Sequence, residues 1–359
     1  MTAKDILYKT LFFLFLIYLF FVSIQLMGSA FKSFGAGFAE SLIETTSNPF
    51  VGLLAGILAT SMVQSSSCTT SIVVGFVASG SLTIVNAVPI IMGANIGTTV
   101  TNTFVSLAHV HRRGEFERAF AGATCHDFFN LLSVIVIFPL QVKFLILSRI
   151  SSFLTDAFVK VGGIQIVNPL KLATGPLVRA LQGACLHHPV VMLVLALLIL
   201  FFSLRFITRL MRGLVATKAE RSLNEHVFNS PVRAFLTGAS LTAIIQSSSV
   251  ATSLMVPLVG AGLVTVEKKF PYTLGTNIGT TVTTILAALA TANPAAITIA
   301  LSHLIFNIIG VSIFYPLRWI PIGLAKELGR RVAKRRWHAI TYVVVTFYVV
   351  PLILIFLWR

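Results

Sequence analysis

Long apolar runs alternate along this chain with short basic segments, and two of the apolar regions are broken by the same polar string. Ile6 to Met27 is long enough to cross a bilayer at about 1.5 Å per residue. Phe31 to Thr46 mixes Lys32, Glu40 and Glu44 with Phe34, Phe38, Leu42 and Ile43, the pattern of an amphipathic segment lying at the interface. Pro49 to Ala59 and Thr69 to Ala78 are each too short to cross alone, and Gln64-Ser65-Ser66-Ser67 lies between them. This predicts a re-entrant hairpin over 48–80, a structure tolerated at membrane depth only where protein or a water-filled cavity satisfies its backbone. Ile84 to Leu107 and Phe120 to Leu147 are predicted spans, the first interrupted by Gly93 and Gly97. Val190 to Ile207 crosses again, Pro231 to Gly262 predicts a second hairpin around Gln246-Ser247-Ser248-Ser249, and Phe270 to Ala290, Ala295 to Tyr315 and Ile340 to Leu357 complete the set.

The two polar strings belong to a longer repeat. Aligning Gln64 with Gln246 also aligns Thr60 with Thr242, Thr70 with Thr252, Ser71 with Ser253, Gly80 with Gly262 and Pro89 with Pro271. It matches Gly93-Ala94-Asn95-Ile96-Gly97-Thr98-Thr99-Val100-Thr101 to Gly275-Thr276-Asn277-Ile278-Gly279-Thr280-Thr281-Val282-Thr283. Further on, His126-x-x-Phe129-Asn130 has its counterpart in His303-x-x-Phe306-Asn307.

Basic residues orient the halves. Lys4 and Lys9 put the N-terminus in the cytoplasm, as do Arg112, Arg113 and Arg118 for the next basic loop. Arg205, Arg209, Arg212, Lys218 and Arg221 mark the same side, and so does the cluster from Lys326 to Arg336. The first hairpin then enters from outside and the second from inside, with Arg359 extracytoplasmic. The expected fold is an all-α polytopic membrane protein with two inverted-topology repeats, each with a re-entrant hairpin and a discontinuous helix. Residues 1–147 form the first repeat unit, 148–185 an extracytoplasmic linker, 186–316 the second unit, and 317–359 a basic segment and last span.

Composition agrees and removes other classes. With 56% hydrophobic residues, 11% charged ones and a mean hydropathy of +0.92, the chain is too apolar for a soluble core. The net charge of +16 sits in the inter-span segments, so it reads as topology and not as a nucleic-acid surface. Lys4, Lys9 and Gly28-Ser29-Ala30 resemble signal-peptide features, but the apolar run between them is long and further spans follow, which predicts an uncleaved first helix. Cys68, Cys125 and Cys185 make no disulfide framework.

The polar breaks carry the candidate chemistry. An anion in a low-dielectric site needs hydrogen-bond donors, counter-charge, or both. Hairpin tips offer helix N-terminal N–H groups, while Gln64, Ser65, Ser66, Ser67, Gln246, Ser247, Ser248 and Ser249 add hydroxyls and amides. Sodium prefers oxygen ligands. Gly93, Gly97, Gly275 and Gly279 permit helix unwinding that frees backbone carbonyls, and Ser66, Thr69, Asn95, Thr98, Thr99, Ser248, Asn277, Thr280 and Thr281 supply side-chain oxygens. No Lys or Arg lies in either string, so an anion bound there depends on a co-bound cation. His126 with Asn130 and His303 with Asn307 share helix faces and serve either the site or interhelical bonding. Asp127 is an acid inside an apolar span, a functional candidate without a counterpart at Leu304.

These residues resemble the type II sodium/phosphate cotransporter family, whose two inverted repeat units each carry a Gln-Ser-Ser-Ser motif. The resemblance covers Gln64 to Thr101, Gln246 to Thr283 and the His-x-x-Phe-Asn segments, and more loosely Arg336-Trp337 with the last helix. It implies sodium-driven symport of inorganic phosphate by alternating access, with phosphate held by the two Gln-Ser-Ser-Ser regions and sodium beside them. Sodium serves as coupling ion and no other cofactor is expected; inorganic phosphate, sodium and the lipid bilayer are the expected partners. The short linker at Gly163 to Cys185 points to a compact bacterial member in the inner membrane. Competing readings are a symporter of another oxyanion or a small carboxylate, and an anion channel, which would need a continuous polar path past the hairpins. An intramembrane hydrolase has least support, since no Ser has an evident His and acid at a shared helical depth, and no enzymatic chemistry is expected.

Overall fold

Every described element is helical in the computed structural model, which describes residues 3–162, 169–222 and 227–358. Arg359 and the part of the expected linker at 163–168 lie outside the described residues. Among the described residues six helical stretches are long and apolar enough to cross a membrane: Leu7–Ser33, Ile84–His109, Arg113–Phe144, Pro189–Met211, Pro294–Phe314 and Trp337–Trp358. The protein is a polytopic membrane protein. Helix α14 (Val266–Thr291), expected as a further span, has the length but is diluted by threonine and lysine and falls outside that set.

Helix α1 (Ala3–Ser33) is followed by α2 (Ala36–Thr45), which turns 98° into α3 (Pro49–Val63). Asn48 caps α3 by accepting from the Phe50 N–H at 3.0 Å, with Pro49 at the first helical position, where its missing N–H costs nothing. Helix α3 ends at Gln64, whose φ of 56° is left-handed, and α4 (Ser66–Ser79) begins at once. The second half repeats this: α11 (Pro231–Ile245) ends at Gln246 with φ 59°, and α12 (Ser248–Ser253) follows. Beyond α12 the halves diverge. Pro257 cannot donate to the Ser253 carbonyl, so the helix breaks at Leu254 and resumes as α13 (Met255–Gly260), whereas α4 runs unbroken with Gly75 at the equivalent place.

The glycines do something other than the sequence predicts. Helix α14 is continuous through Gly275 and Gly279, and the first half breaks only after Gly97, between α5 (Ile84–Gly97) and α6 (Val100–Ser106). Even there Thr98 and Thr99 keep right-handed helical angles. The expected discontinuous helix with freed carbonyls is therefore absent from the second half and slight in the first. What the glycines permit is backbone-to-backbone packing. A Cβ on Gly93 would lie 1.9 Å from the Leu53 carbonyl oxygen, and one on Gly56 2.1 Å from that of Ile90. The second half matches closely: Gly275 would meet the Phe235 oxygen at 1.9 Å and Gly238 that of Tyr272 at 2.1 Å. Helix α3 is thus pressed onto α5, and α11 onto α14, at a separation only glycine allows.

The expected linker is largely structured. Helix α7 (Arg113–Phe144) ends at Leu145, and α8 (Ile146–Gly162) packs on α15 (Pro294–Phe314) through Ser302 to Ser151 at 2.9 Å and Thr298 to Thr155 at 3.0 Å. Its amphipathic pattern was legible, but the segment's mixed polarity hid it among loop signals. Helix α9 (Pro169–Ala184) lies against α1, and α10 (Pro189–Ser222) runs beside α1 for much of its length. After α15, α16 (Trp319–Lys334) packs on α7 and is tied to the start of α14 by the Lys326–Glu267 ion pair. The last stretch is α17 (Trp337–Val344), a π-helical turn and α18 (Val350–Trp358). Cys68, Cys125 and Cys185 are buried free thiols.

Candidate functional site

Each Gln-Ser pair is a turn made by the chain's own polar groups. Ser65 caps α4 by accepting from the Cys68 N–H at 3.2 Å, and Ser247 caps α12 by accepting from the Val250 N–H at 3.3 Å. A left-handed backbone in a non-glycine residue costs roughly 1–2 kcal/mol, and it recurs at both glutamines. Strain of this kind persists where the surroundings over-determine it and is concentrated at ligand sites.

The two turns face one another across the middle of the molecule. Ser67 Oγ donates to the Gln246 carbonyl oxygen at 3.1 Å, and Ser249 Oγ reaches the Thr98 carbonyl at 3.5 Å. Above them opens a vestibule of about 680 Å³, lined by Gln64, Ser65, Cys68, Gln246, Ser247 and Val250 from the two turns. Its other wall is α10, with Phe201, Leu204, Arg205, Thr208 and Arg209. Gln64 is exposed there and Gln246 is 7% exposed, its amide turned back onto the Ala243 carbonyl. Among the described residues the Gln64 amide and the hydroxyls of Ser66 and Ser248 make no hydrogen bond within the protein. These polar groups remain free for a ligand.

Beneath the turns lies a buried network that links the halves. Thr252 Oγ1 donates to Asn102 Oδ1 at 2.8 Å, and the Asn102 amide meets His126 Nδ1 at 3.4 Å. His126 Nε2 then donates to Asn277 Oδ1 at 2.6 Å, Asn277 donates to Asn130 Oδ1 at 2.7 Å, and Asn130 donates to the Asn95 carbonyl at 2.7 Å. Because Asn277 gives its amide to Asn130, its Oδ1 must accept, which assigns the proton to His126 Nε2. The same pairing recurs at the repeat-equivalent positions. Thr284 contacts Thr70 and His303 Nδ1, both at 3.0 Å, and His303 Nε2 lies 3.4 Å from Asn95 Oδ1. One oxygen is left over: Asn307 Oδ1 is buried with no partner, whereas its counterpart on Asn130 is satisfied.

The threonines named from the sequence are present and helical. Thr98 donates to Ala94 O at 2.8 Å, Thr99 to Ile96 O at 2.8 Å, Thr280 to Thr276 O at 2.9 Å and Thr281 to Ile278 O at 2.7 Å. A hydroxyl that donates to its own helix keeps lone pairs for a cation, so back-bonding suits an ion ligand. Thr69 Oγ1 accepts from Thr60 at 3.0 Å beside the first turn. Asp127 is 3% exposed, its Oδ2 accepting from Tyr342 at 3.0 Å and Thr103 at 3.4 Å, while Oδ1 has no hydrogen-bond partner. Asp127 Oδ1, Asn307 Oδ1 and the Thr101 hydroxyl are buried without a hydrogen-bond partner, as are the hydroxyls of Ser61, Ser71 and Thr242.

Several contributors escape sequence reasoning. Thr60, Thr70, Thr242 and Thr252 repeat between the halves, a signal that was available. Tyr342 and Asn102 gave none. Arg205 and Arg209 read as topology markers, and only the packing of α10 reveals that they line the vestibule.

Comparison with known proteins shows the family. The family model described as Na+/Pi-cotransporter matches residues 19–165 and 199–326. The sodium-dependent phosphate transport protein 2B of Pongo abelii is 36% identical over 436 aligned positions, covering 94% of this chain and 63% of the relative. The sodium-dependent phosphate transport protein 2A of Rattus norvegicus is 35% identical over 416 positions, covering 93% of this chain and 65% of the relative. The chain thus spans a little under two thirds of the length of these relatives. No solved structure matches it. With a family model matched over most of its length, and relatives above 30% identity over nearly all of it, the chain belongs to the Na+/Pi-cotransporter family.

Proposed function

We propose that the protein is a secondary active transporter that couples sodium to the uptake of inorganic phosphate. The observation that carries this reading is the single vestibule on which both Gln-Ser turns open, with the Gln64 amide and the Ser66 and Ser248 hydroxyls uncommitted. Phosphate sits between the turns in this reading, held by Gln64, Ser65, Ser66, Ser67, Gln246, Ser247, Ser248 and Ser249 and by the N–H groups of the first turn of α4. Sodium supplies the counter-charge that the strings lack, through Ser66, Thr69, Asn95, Thr98, Thr99, Ser248, Asn277, Thr280 and Thr281. Asp127 and Asn307 add the unpartnered oxygens described above, while His126, His303 and Asn130 hold the asparagines in place.

The names of the two transport relatives support the choice of ions, and the matched pairings in the two halves support an inverted repeat with two re-entrant hairpins. Alternating access follows from that architecture, with sodium and phosphate released together once the vestibule opens. The basic segments support a cytoplasmic N-terminus, an extracytoplasmic C-terminus and a vestibule that opens to the cytoplasm at the end of α10. The plasma membrane of a bacterium is the proposed location, supported by the short linker between the halves. Protein in liposomes should accumulate radiolabelled phosphate under an inward sodium gradient; equal accumulation under a potassium gradient would sink the coupling. Competition by arsenate but not by sulfate or succinate is the expected selectivity.

A further inference from the structure

The vestibule wall opposite the two turns carries a pair of arginines that, among the described residues, have no acid to pair with. Arg205 and Arg209 are one helical turn apart on α10, both line the 680 Å³ vestibule, and Thr208 stands between them. Among the described residues no carboxylate forms an ion pair with either, although such pairs hold Arg112, Arg330 and Arg331 elsewhere. Both side chains are exposed, and a guanidinium on a membrane-spanning helix is costly unless it faces a wet cavity. Among the described residues no acidic side chain lines the vestibule to cancel the charge.

We propose that Arg205 and Arg209 form a second oxyanion site, separate from the Gln-Ser turns, that binds a phosphate group on the route between the turns and the aqueous mouth. This rests on reading the vestibule as the substrate's path. The two sites differ in what neutralises the anion. Between the turns no fixed cation is present and sodium must accompany phosphate; at the arginines two guanidinium groups do that work, with donor forks suited to phosphate oxygens. The arginine site therefore binds without sodium. A free phosphate ion and a lipid headgroup share the required chemistry.

The test is equilibrium binding of radiolabelled inorganic phosphate to the full chain in phosphatidylcholine vesicles, with choline replacing sodium. The wild-type protein should bind phosphate under these conditions. An R205Q/R209Q variant should bind about tenfold more weakly or worse, and R205K/R209K should recover part of the loss. Thermal unfolding of each variant reports that the fold is intact. No sodium-free binding by the wild-type protein, or undiminished binding by R205Q/R209Q, overturns the proposal. In a parallel arm with phosphatidylglycerol added, displacement of phosphate identifies a lipid headgroup as the resident anion, and persistence identifies the free ion. Sodium-driven flux is read in a different experiment, so failure of the symport reading and failure of this site remain distinguishable.

Discussion

His126 Nε2 donates to Asn277 Oδ1 at 2.6 Å, so a histidine of the first half holds an asparagine of the second in a bond buried from water. That bond sets the orientation of Asn277 and, through it, Asn130 and the Asn95 carbonyl. Replacing His126 with Ala strips a partner from Asn102 and Asn277 together. Leaving buried polar groups unpaired costs about 1–3 kcal/mol each, so H126A should unfold at clearly lower temperature and lose most sodium-dependent uptake. A double-mutant cycle with N277A should show strong coupling; additive effects would break the claimed link.

Gln64 offers a way to separate backbone from side chain. Glycine adopts the left-handed conformation freely, so Q64G keeps the turn and removes the side chain that carries the amide. Stability should change by no more than about 1 kcal/mol, because relief of strain offsets the added freedom of the unfolded chain. Phosphate affinity, measured from the concentration dependence of uptake, should fall several-fold. Unaltered affinity would remove Gln64 from the site.

The glycine contacts distinguish close packing from unwinding. In G93A or G275A a methyl group would stand 1.9 Å from a carbonyl oxygen of the neighbouring helix, a distance no rotamer relieves. Neither variant should give folded, monodisperse protein in detergent. G37A, with nothing within 4 Å of the added carbon, is the matched control and should behave as wild type. Well-folded but inactive G93A protein would favour the helix-unwinding role instead.

Asp127 is the acid whose loss should be felt by sodium before phosphate. D127N keeps the shape and the contact with Tyr342 while removing the charge. Half-saturating sodium should rise by about threefold or more, as expected when a charged ligand of a cation is neutralised, with a smaller change for phosphate. A shift confined to phosphate would move Asp127 out of the cation's surroundings.

Much of this arrangement was legible in the sequence because it is written twice. A membrane interior forces backbone polar groups to be satisfied, so a polar string between two short apolar helices has few structural solutions, and its recurrence narrowed them further. The turns at Gln64 and Gln246 followed that pattern, whereas the pairing of each histidine helix with a distant asparagine helix emerges only from the packing. What the string alone could not reveal was the partner of each glycine. Gly93 and Gly275 look alike whether a helix unwinds or a neighbour presses close, and the difference lies in Leu53 and Phe235, far away in sequence. The arginines of α10 were hidden for another reason. Positive charge near a helix end has a topological explanation in any membrane protein, and only the fold shows which face of α10 meets a cavity.

The glycine contacts also decide how the molecule can move. Helices pressed together at backbone distance share no sliding surface, so α3 with α5, and α11 with α14, must each travel as a single plank. Helices α7 and α15 join the planks, since His126 and Asn130 of α7 bond Asn277 of α14 and the Asn95 carbonyl of α5, and His303 of α15 reaches the Asn95 side chain. Any rearrangement of one plank against the other therefore falls on those side-chain bonds and leaves the backbone contacts within each plank intact.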